Sequence, residues 1–422
     1  MGKKNNFLVQ GSILAISSIL VRLIGVLYRI PLTKIIGDEG MGYYSNAFTI
    51  YNIALIISSY SLPLAVSKLV VQRNARKEYR NSYRIFLCSF VFAMVVGTIT
   101  SIVIFLCSDF FATTIYRDPR CAIPLRVLAP TIFVFALMGV LRGFFQGKNT
   151  MLPTAISQIL EQIVNAIVSL IAAYILMKSN SASENIAAFG AAGGTLGTFI
   201  GACFALLFLA FIFALYKPLL DKQLRKDKTG YTESYSTLFG ALLLTVFPVI
   251  LSQTVYQLSG LIDNSIFGHV MEQKGYLYED RIALLGIYSS KYNILINIPI
   301  SIASALGAAI VPSIVAAKEM GSSFELKEKV HLANKFNMLI ALPSAVGLGV
   351  LASPILQLLF DEHRQLPANM LYIGAIAVIF FSLSTVSSAV LQGIHKMHIP
   401  VIHSAIALVI HGIVVYVLLQ VF

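Results

Sequence analysis

Hydrophobic residues form long, almost uninterrupted stretches along this chain, and short polar segments separate them. An α-helix needs about 20 residues to cross a bilayer, and eleven stretches are long enough to do so. They lie at residues 8–31, 42–71, 84–107, 124–146, 152–177, 187–216, 238–267, 283–314, 333–359, 370–392 and 399–421. Because lipid offers no hydrogen bonds to the backbone, apolar runs of this length must be helical. The pattern therefore predicts an all-α polytopic membrane protein with about eleven transmembrane helices.

Composition and charge support this interpretation and exclude a nucleic-acid partner. Hydrophobic residues make up 57% of the chain and charged residues 12%, with a mean hydropathy of +0.80. The net charge is +12, but the lysines and arginines concentrate in alternate connections such as 72–84, 217–228 and 318–335. Cytoplasmic loops are enriched in Lys and Arg, so these connections and the N-terminus are predicted to be cytoplasmic.

The second half of the chain repeats landmarks of the first half at a nearly constant offset. Gly42-Tyr43-Tyr44-Ser45 reappears as Gly286-Ile287-Tyr288-Ser289, and Gln146-Gly147 reappears as Gln392-Gly393. The repeating unit is six helices, which predicts two pseudo-symmetric six-helix lobes around a central cavity, as in many transporters. The predicted domains are an N-lobe at 1–216, a cytoplasmic inter-lobe linker at 217–237 and a C-lobe at 238–422. The eleventh stretch matches the fifth, and no partner of the sixth follows it, so we expect the second lobe to be truncated.

Three basic residues lie within the predicted helices. Arg22 and Arg29 are seven residues apart in the first helix, so they share one face and are separated by about 10 Å along the axis. Lys291 lies in the eighth. A charged side chain near the bilayer centre is costly and marks a functional site by default. Snorkelling of the long side chains to the interface is the alternative, and it suits Arg29 better than Arg22.

Other polar residues in the predicted helices offer weaker signals. Gln158, Glu161 and Asn165 recur at helical spacing in the fifth helix and form one polar face. Glu161 could bind a coupling cation or pair with an arginine as structural support. Asp263 could coordinate Na⁺ or end its helix, and Asn52 could face the cavity or link helices.

No sequence motif indicates an enzyme. The chain has no P-loop, HExxH or CxxC motif, and its four cysteines are far apart. Gly193, Gly197 and Gly201 recur every four residues in the sixth helix, a spacing that lets helices approach closely. We therefore predict a transporter without a cofactor.

Three segments resemble one family of membrane proteins. They read VRLIGVLYRIPLTKIIGDEGMGYYSNAF, LRGFFQGKNTMLPTAISQILEQIVN and LGIYSSKYNILINIPISIASALGAAIVPS. With them the chain resembles the MurJ/SpoVB-type flippases of the multidrug/oligosaccharidyl-lipid/polysaccharide (MOP) exporter superfamily. The resemblance implies two six-helix lobes, alternating access and movement of an undecaprenyl-diphosphate-linked sugar, typically lipid II, across the membrane.

The resemblance also implies roles for single residues and a cellular setting. Arg22 and Arg29 match the basic residues in the family's first helix, and Lys291 matches the one in its eighth, so these three would bind the diphosphate. Some members couple to Na⁺, and here only Asp263 could fit such a site. The implied setting is a monomer in the bacterial cytoplasmic membrane. Its partners would be a lipid-linked oligosaccharide and the bilayer, and its coupling would use Na⁺ or the membrane potential.

Two other functions stay open. Drug/cation antiport within the same superfamily would require acidic rather than basic cavity residues, which argues against it. A truncated, non-transporting membrane protein is the other alternative, because the second lobe is expected to be incomplete.

Overall fold

The computed structural model describes residues 2–227, 229–394, 396 and 398–421, and every regular element in them is helical. The α-helices are α1 (Gly2–Leu55), α2 (Leu62–Ala75), α3 (Tyr79–Leu106), α4 (Ser108–Ile115), α5 (Ala122–Gly147), α6 (Leu152–Ser179), α7 (Ile186–Arg225), α8 (Tyr235–Gln273), α9 (Tyr278–Ile287), α10 (Asn293–Glu319), α11 (Ser323–Val350), α12 (Ala352–Phe360), α13 (Gln365–Gly374), α14 (Ala377–Gly393) and α15 (His398–Val421). Two π-helical turns, Ile56–Tyr60 and Tyr288–Tyr292, join α1 to α2 and α9 to α10. The predicted all-α membrane fold is confirmed.

The predicted number of eleven transmembrane helices is not confirmed. By length and composition, six helical segments of the described chain could cross a membrane, or up to eight if two bent pairs each count as one. The predicted helices at 8–31 and 42–71 illustrate the difference, because both fall largely in one segment, Ile16–Ala75, that contains two helices joined at a kink. The hydropathy profile shows a polar gap between the two apolar stretches, whereas in the structure the second helix begins directly after the kink.

The gap in α1 is a sharp break at Gly37. This residue has φ 71° and ψ 179°, a backbone conformation that residues other than glycine rarely adopt. Helical geometry holds on both sides, so α1 consists of two helices that meet at this kink. Asp38 follows immediately and is thereby placed at the start of the second part of α1.

By Cα proximity the chain forms two compact units. The first contains the residues up to Gly25 and Tyr43–Gly275, and the second contains Val26–Gly42 and the residues from Tyr276 onward. The predicted linker at 217–237 lies within the first unit, and its position 228 is outside the described residues. The predicted lobe boundaries stay a prediction.

The predicted linker is held by two buried carboxylates. Asp227 accepts a hydrogen bond from the Arg80 N–H at 2.8 Å, and Glu233 accepts two from the Arg73 guanidinium at 3.1 and 2.8 Å. Burial acts to raise the pKa of Asp227, but the hydrogen bonds from Arg80 and Thr229 lower it overall. Nonhelical backbone between α7 and α8 is therefore fixed to the ends of α2 and α3.

Glycines bring α6 and α7 into backbone contact, as their spacing predicted. A Cβ on Gly193 would collide with Ala173, and one on Gly201 would lie 2.6 Å from the Glu161 carbonyl oxygen. This close approach fixes the rotation of α6, and therefore the direction of its polar face.

We expect Gly197→Ala to lower the apparent melting temperature of the purified protein by about 1–3 °C. Its Cβ would lie 2.7 Å from the Asn165 carbonyl oxygen and would collide with Ser169, and overpacking of this kind costs about 1–3 kcal/mol. The matched control is Gly240→Ala in α8, where nothing lies within 4 Å of the added atom. Alanine favours helix there, so the control should be neutral or stabilising. Equal melting temperatures for the two variants would refute the close contact.

Candidate functional site

Arg22 and Arg29 lie on α1, two turns apart, as the sequence predicted. The Arg22 side chain is exposed, and no described residue forms a hydrogen bond or ion pair with it. Arg29 is half-buried. The two arginines are thus placed differently, and Arg22 has its full donor capacity available to a ligand.

Lys291 lies in the π-helical turn of the second unit, where it is buried and bound by two acids. Its Nζ lies 2.6 Å from Asp38 Oδ1 and 2.5 Å from Glu362 Oε2. Arg364 forms ion pairs with the same two carboxylates. We call these four residues the Lys291 network; it contains two cations and two anions, so its formal charge is zero.

Backbone geometry brings the network together. A Cβ on Gly286 would collide with the Asp38 carbonyl oxygen, and one on Gly42 would collide with Ile282. These glycines are the repeat-related residues of the two Gly-x-Tyr-Ser motifs, and they let α1 and α9 meet through their backbones. Asp38 is thereby held next to Lys291, which lies one turn beyond the end of α9.

Glu362 lies in the loop between α12 and α13 and is the most constrained acid of the network. Its Oε1 accepts hydrogen bonds from the Arg364 Nε at 2.8 Å and the Arg364 N–H at 3.0 Å. These bonds, joined by Lys291, hold the pKa of the Glu362 carboxyl well below its usual range, although burial opposes them. The same pairing raises the pKa of Arg364.

The lowered pKa of Glu362 predicts how its contribution to stability depends on pH. A carboxyl whose pKa is depressed by folding stabilises the protein above its unfolded pKa of about 4.3 and loses that effect as the pH falls further. The melting temperature of the wild type should therefore exceed that of Glu362→Gln by a constant amount from pH 8 to pH 5. The difference should shrink below about pH 4.

Asp361→Asn is the matched control for this pH series. Asp361 is the exposed neighbour, with 83% of its side chain accessible, and asparagine tolerates its left-handed backbone conformation. The melting temperature of Asp361→Asn should equal that of the wild type at every pH. A Glu362→Gln difference that already disappears between pH 7 and 5 would contradict the lowered pKa.

Lys291 could be identified from the sequence as a candidate, whereas Asp38, Glu362 and Arg364 could not. All three lie at breaks or loops between apolar segments, where hydropathy assigns charged residues to solvent. The available signal was Gly37-Asp38, a helix-breaking residue followed by an acid. Diphosphate binding by Lys291 stays a prediction, and in this structure its ammonium group is bound by carboxylates.

Glu161 pairs with an arginine, which is one of the two roles predicted for it. Arg142 lies within α5, and its Nη2 is 2.8 Å from Glu161 Oε2 on α6. Its Nε donates to Ser157 Oγ at 3.0 Å. Arg142 could not be identified from the sequence, because its position near the end of an apolar stretch resembles that of a loop cation.

The remaining predicted residues have separate surroundings. Asn165 Oδ1 accepts hydrogen bonds from Ser169 and Thr198 and so links α6 to α7. Gln158 Oε1 is buried without a hydrogen bond from the described residues. Asn52 and Asp263 are half-buried, and Na⁺ binding by Asp263 stays a prediction.

Two family models match this chain. The model described as "Polysaccharide biosynthesis protein" matches residues 8–318, and the model described as "MatE" matches residues 248–417. Together they cover both compact units.

Individual proteins show the same likeness. The chain is 27% identical to "Lipid II flippase MurJ" of Bacillus subtilis (strain 168), over 96% of this chain and 76% of that protein. It is 32% identical to "Stage V sporulation protein B" of the same organism, over 37% of this chain and 30% of that one. An inward-facing multidrug resistance MATE family transporter of the MOP superfamily has the same fold, with a TM-score of 0.68 at 15% identity over 93% of this chain and 88% of that one. The chain therefore belongs to the polysaccharide biosynthesis protein family, and it is a multi-pass membrane transporter of the MOP superfamily.

Proposed function

We propose that this transporter flips an undecaprenyl-diphosphate-linked sugar, lipid II or a polysaccharide unit, across the bacterial cytoplasmic membrane. The observation that carries the proposal is Arg22, an exposed guanidinium on an apolar helix to which no described residue is paired. A cation in that setting is costly unless a ligand or water compensates it. The similarity to a lipid II flippase along nearly the whole chain supports the choice of substrate.

The chemistry of the substrate fits an arginine. A diphosphate carries several charged oxygens, and a guanidinium binds such oxygens through two parallel hydrogen bonds while staying protonated at any working pH. Arg22 and Arg29 would hold the diphosphate while the prenyl chain stays in lipid. Alternating access would then expose the head group first to one side of the membrane and then to the other.

The orientation and the energy source are further parts of the proposal. The N-terminus would be cytoplasmic, since the basic connections that share its side carry most of the loop lysines and arginines. The membrane potential would drive the movement, with Na⁺ at Asp263 as the alternative. The protein would act as a monomer.

Reconstitution tests the proposal directly. The purified chain in proteoliposomes should move a fluorescent undecaprenyl-diphosphate-linked sugar between leaflets, and it should move the corresponding monophosphate-linked sugar much more slowly. In a bacterium depleted of its own lipid II flippase, rescue of growth would identify lipid II as the sugar lipid. Export of a cationic dye without movement of either lipid would favour drug antiport and contradict the proposal.

A further inference from the structure

We propose that Arg142 is an additional ligand for the substrate diphosphate, and that Glu161 occupies the ligand's place when no substrate is bound. This inference rests on the proposed function and adds a second cation to Arg22 within the first unit. It treats the Arg142–Glu161 ion pair as an exchangeable contact and not only as a link between α5 and α6.

The pair uses a fraction of its binding capacity. Arg142 donates one hydrogen bond to Glu161 and one to Ser157, although a guanidinium offers five N–H donors. Arg142 Nη1 and Glu161 Oε1 form no hydrogen bond with the described residues, and both atoms keep some accessible surface. Accessible fractions of 10% and 18% for the two side chains show that the pair lies at the edge of the packed interior. A second anion can therefore reach Nη1 without unfolding the site.

The pair lies in the same compact unit as Arg22, and a neighbour of Glu161 contacts α1 close to Arg22. On α6, the residue after Glu161 is Gln162, and its Nε2 lies 3.2 Å from the position that a Cβ on Gly25 would take. Gly25 is three residues after Arg22, so the two positions share one side of α1. Gln162, the residue after Glu161, thus contacts α1 about one turn beyond Arg22. Gln158, one turn earlier on α6, adds a buried carbonyl oxygen without a hydrogen bond in the described chain.

An exchange of anions explains why an arginine and a glutamate lie together at this place. An arginine without a counter-ion inside a membrane is costly, so Glu161 keeps Arg142 charged and oriented in the empty transporter. A diphosphate carries more charge than a carboxylate and can form two parallel bonds with the guanidinium, so it can displace Glu161. The displaced carboxylate then repels the bound diphosphate, which favours release on the other side.

The experiment measures binding of undecaprenyl diphosphate without a sugar to the purified full chain by native mass spectrometry, with undecaprenyl monophosphate as the control ligand. Glu161→Gln should bind the diphosphate about tenfold more tightly, because a neutral amide no longer competes for Arg142. Arg142→Gln should bind the diphosphate about 10- to 100-fold more weakly than the wild type. The affinity of Arg142→Lys should lie between those of the wild type and Arg142→Gln, since lysine keeps the charge but cannot form two parallel hydrogen bonds.

A double variant separates binding from structural support. Replacing a buried ion pair by apolar residues of similar volume is often neutral for stability, so Arg142→Met with Glu161→Met should melt close to the wild type. It should nevertheless bind the diphosphate as weakly as Arg142→Gln. Wild-type affinity in this double variant, or no tightening in Glu161→Gln, would show that the pair is only structural.

The same measurements distinguish this inference from the proposed function. If the wild type does not prefer the diphosphate over the monophosphate, the proposed function fails and the role of Arg142 fails with it. If the wild type binds the diphosphate and Arg22→Ala loses it while the Met/Met variant does not, the proposed function stands and the role of Arg142 is wrong.

Discussion

Replacing Arg22 with alanine should abolish flipping while leaving the protein inserted and folded. The side chain is exposed and has no polar partner in the described chain, so its removal breaks no internal hydrogen bond or ion pair. Its loss would remove charge-assisted hydrogen bonds to the diphosphate, which together correspond to about a 10- to 150-fold change in affinity. We therefore expect no growth rescue of a flippase-depleted bacterium and at least a tenfold lower flipping rate in proteoliposomes.

Two further substitutions define what Arg22 contributes. Arg22→Lys should give a partial activity, because an ammonium group keeps the charge but cannot form the two parallel bonds of a guanidinium. Arg76→Ala is the matched control, since Arg76 is an exposed cation at the end of α2 and lies outside the proposed site. Normal flipping by Arg22→Ala, at equal membrane abundance, would refute the diphosphate mechanism.

The helical fold could be predicted from the sequence because long apolar stretches leave the backbone no alternative in lipid. The glycine contacts between α6 and α7 could be predicted for a similar reason, since residues four apart share one helix face. The way in which the first two helices join could not be predicted, because they meet at a kink at a single residue, Gly37, with no loop between them. A hydropathy profile cannot distinguish such a break from a loop that ends one helix and starts another.

The ion-pair partners of the buried charged residues could not be predicted from the sequence either. The sequence predicts that Glu161 binds a cation or pairs with an arginine, but it does not indicate which arginine. Arg142 is 19 residues away and belongs to another helix. Lys291 was identified as a membrane cation, yet its acids come from α1 and from the loop before α13. Ion pairs of this kind depend on where helix ends meet, and that information lies in the packing and not in any local pattern.

Replacing Lys291 with methionine should destabilise the protein more than any other single substitution considered above. The change leaves Asp38 and Glu362, which are 14% and 6% exposed, with Arg364 as the one remaining cation of the network. Removing one partner of a buried ion pair typically costs about 3–5 kcal/mol. We expect the apparent melting temperature to fall by about 3–6 °C. Lys34→Met is the matched control, because Lys34 is exposed on the same helix as Asp38.

A compensating substitution separates the structural role of Lys291 from its predicted role in binding. Adding Asp38→Asn to Lys291→Met restores the balance of one cation and one anion, so most of the lost stability should return. If flipping returns with it, Lys291 acts through the network alone, and the diphosphate role implied by the family is wrong. If stability returns and flipping does not, Lys291 must leave its carboxylates during transport and bind the substrate. A double variant as unstable as Lys291→Met would instead show that charge balance does not hold this network together.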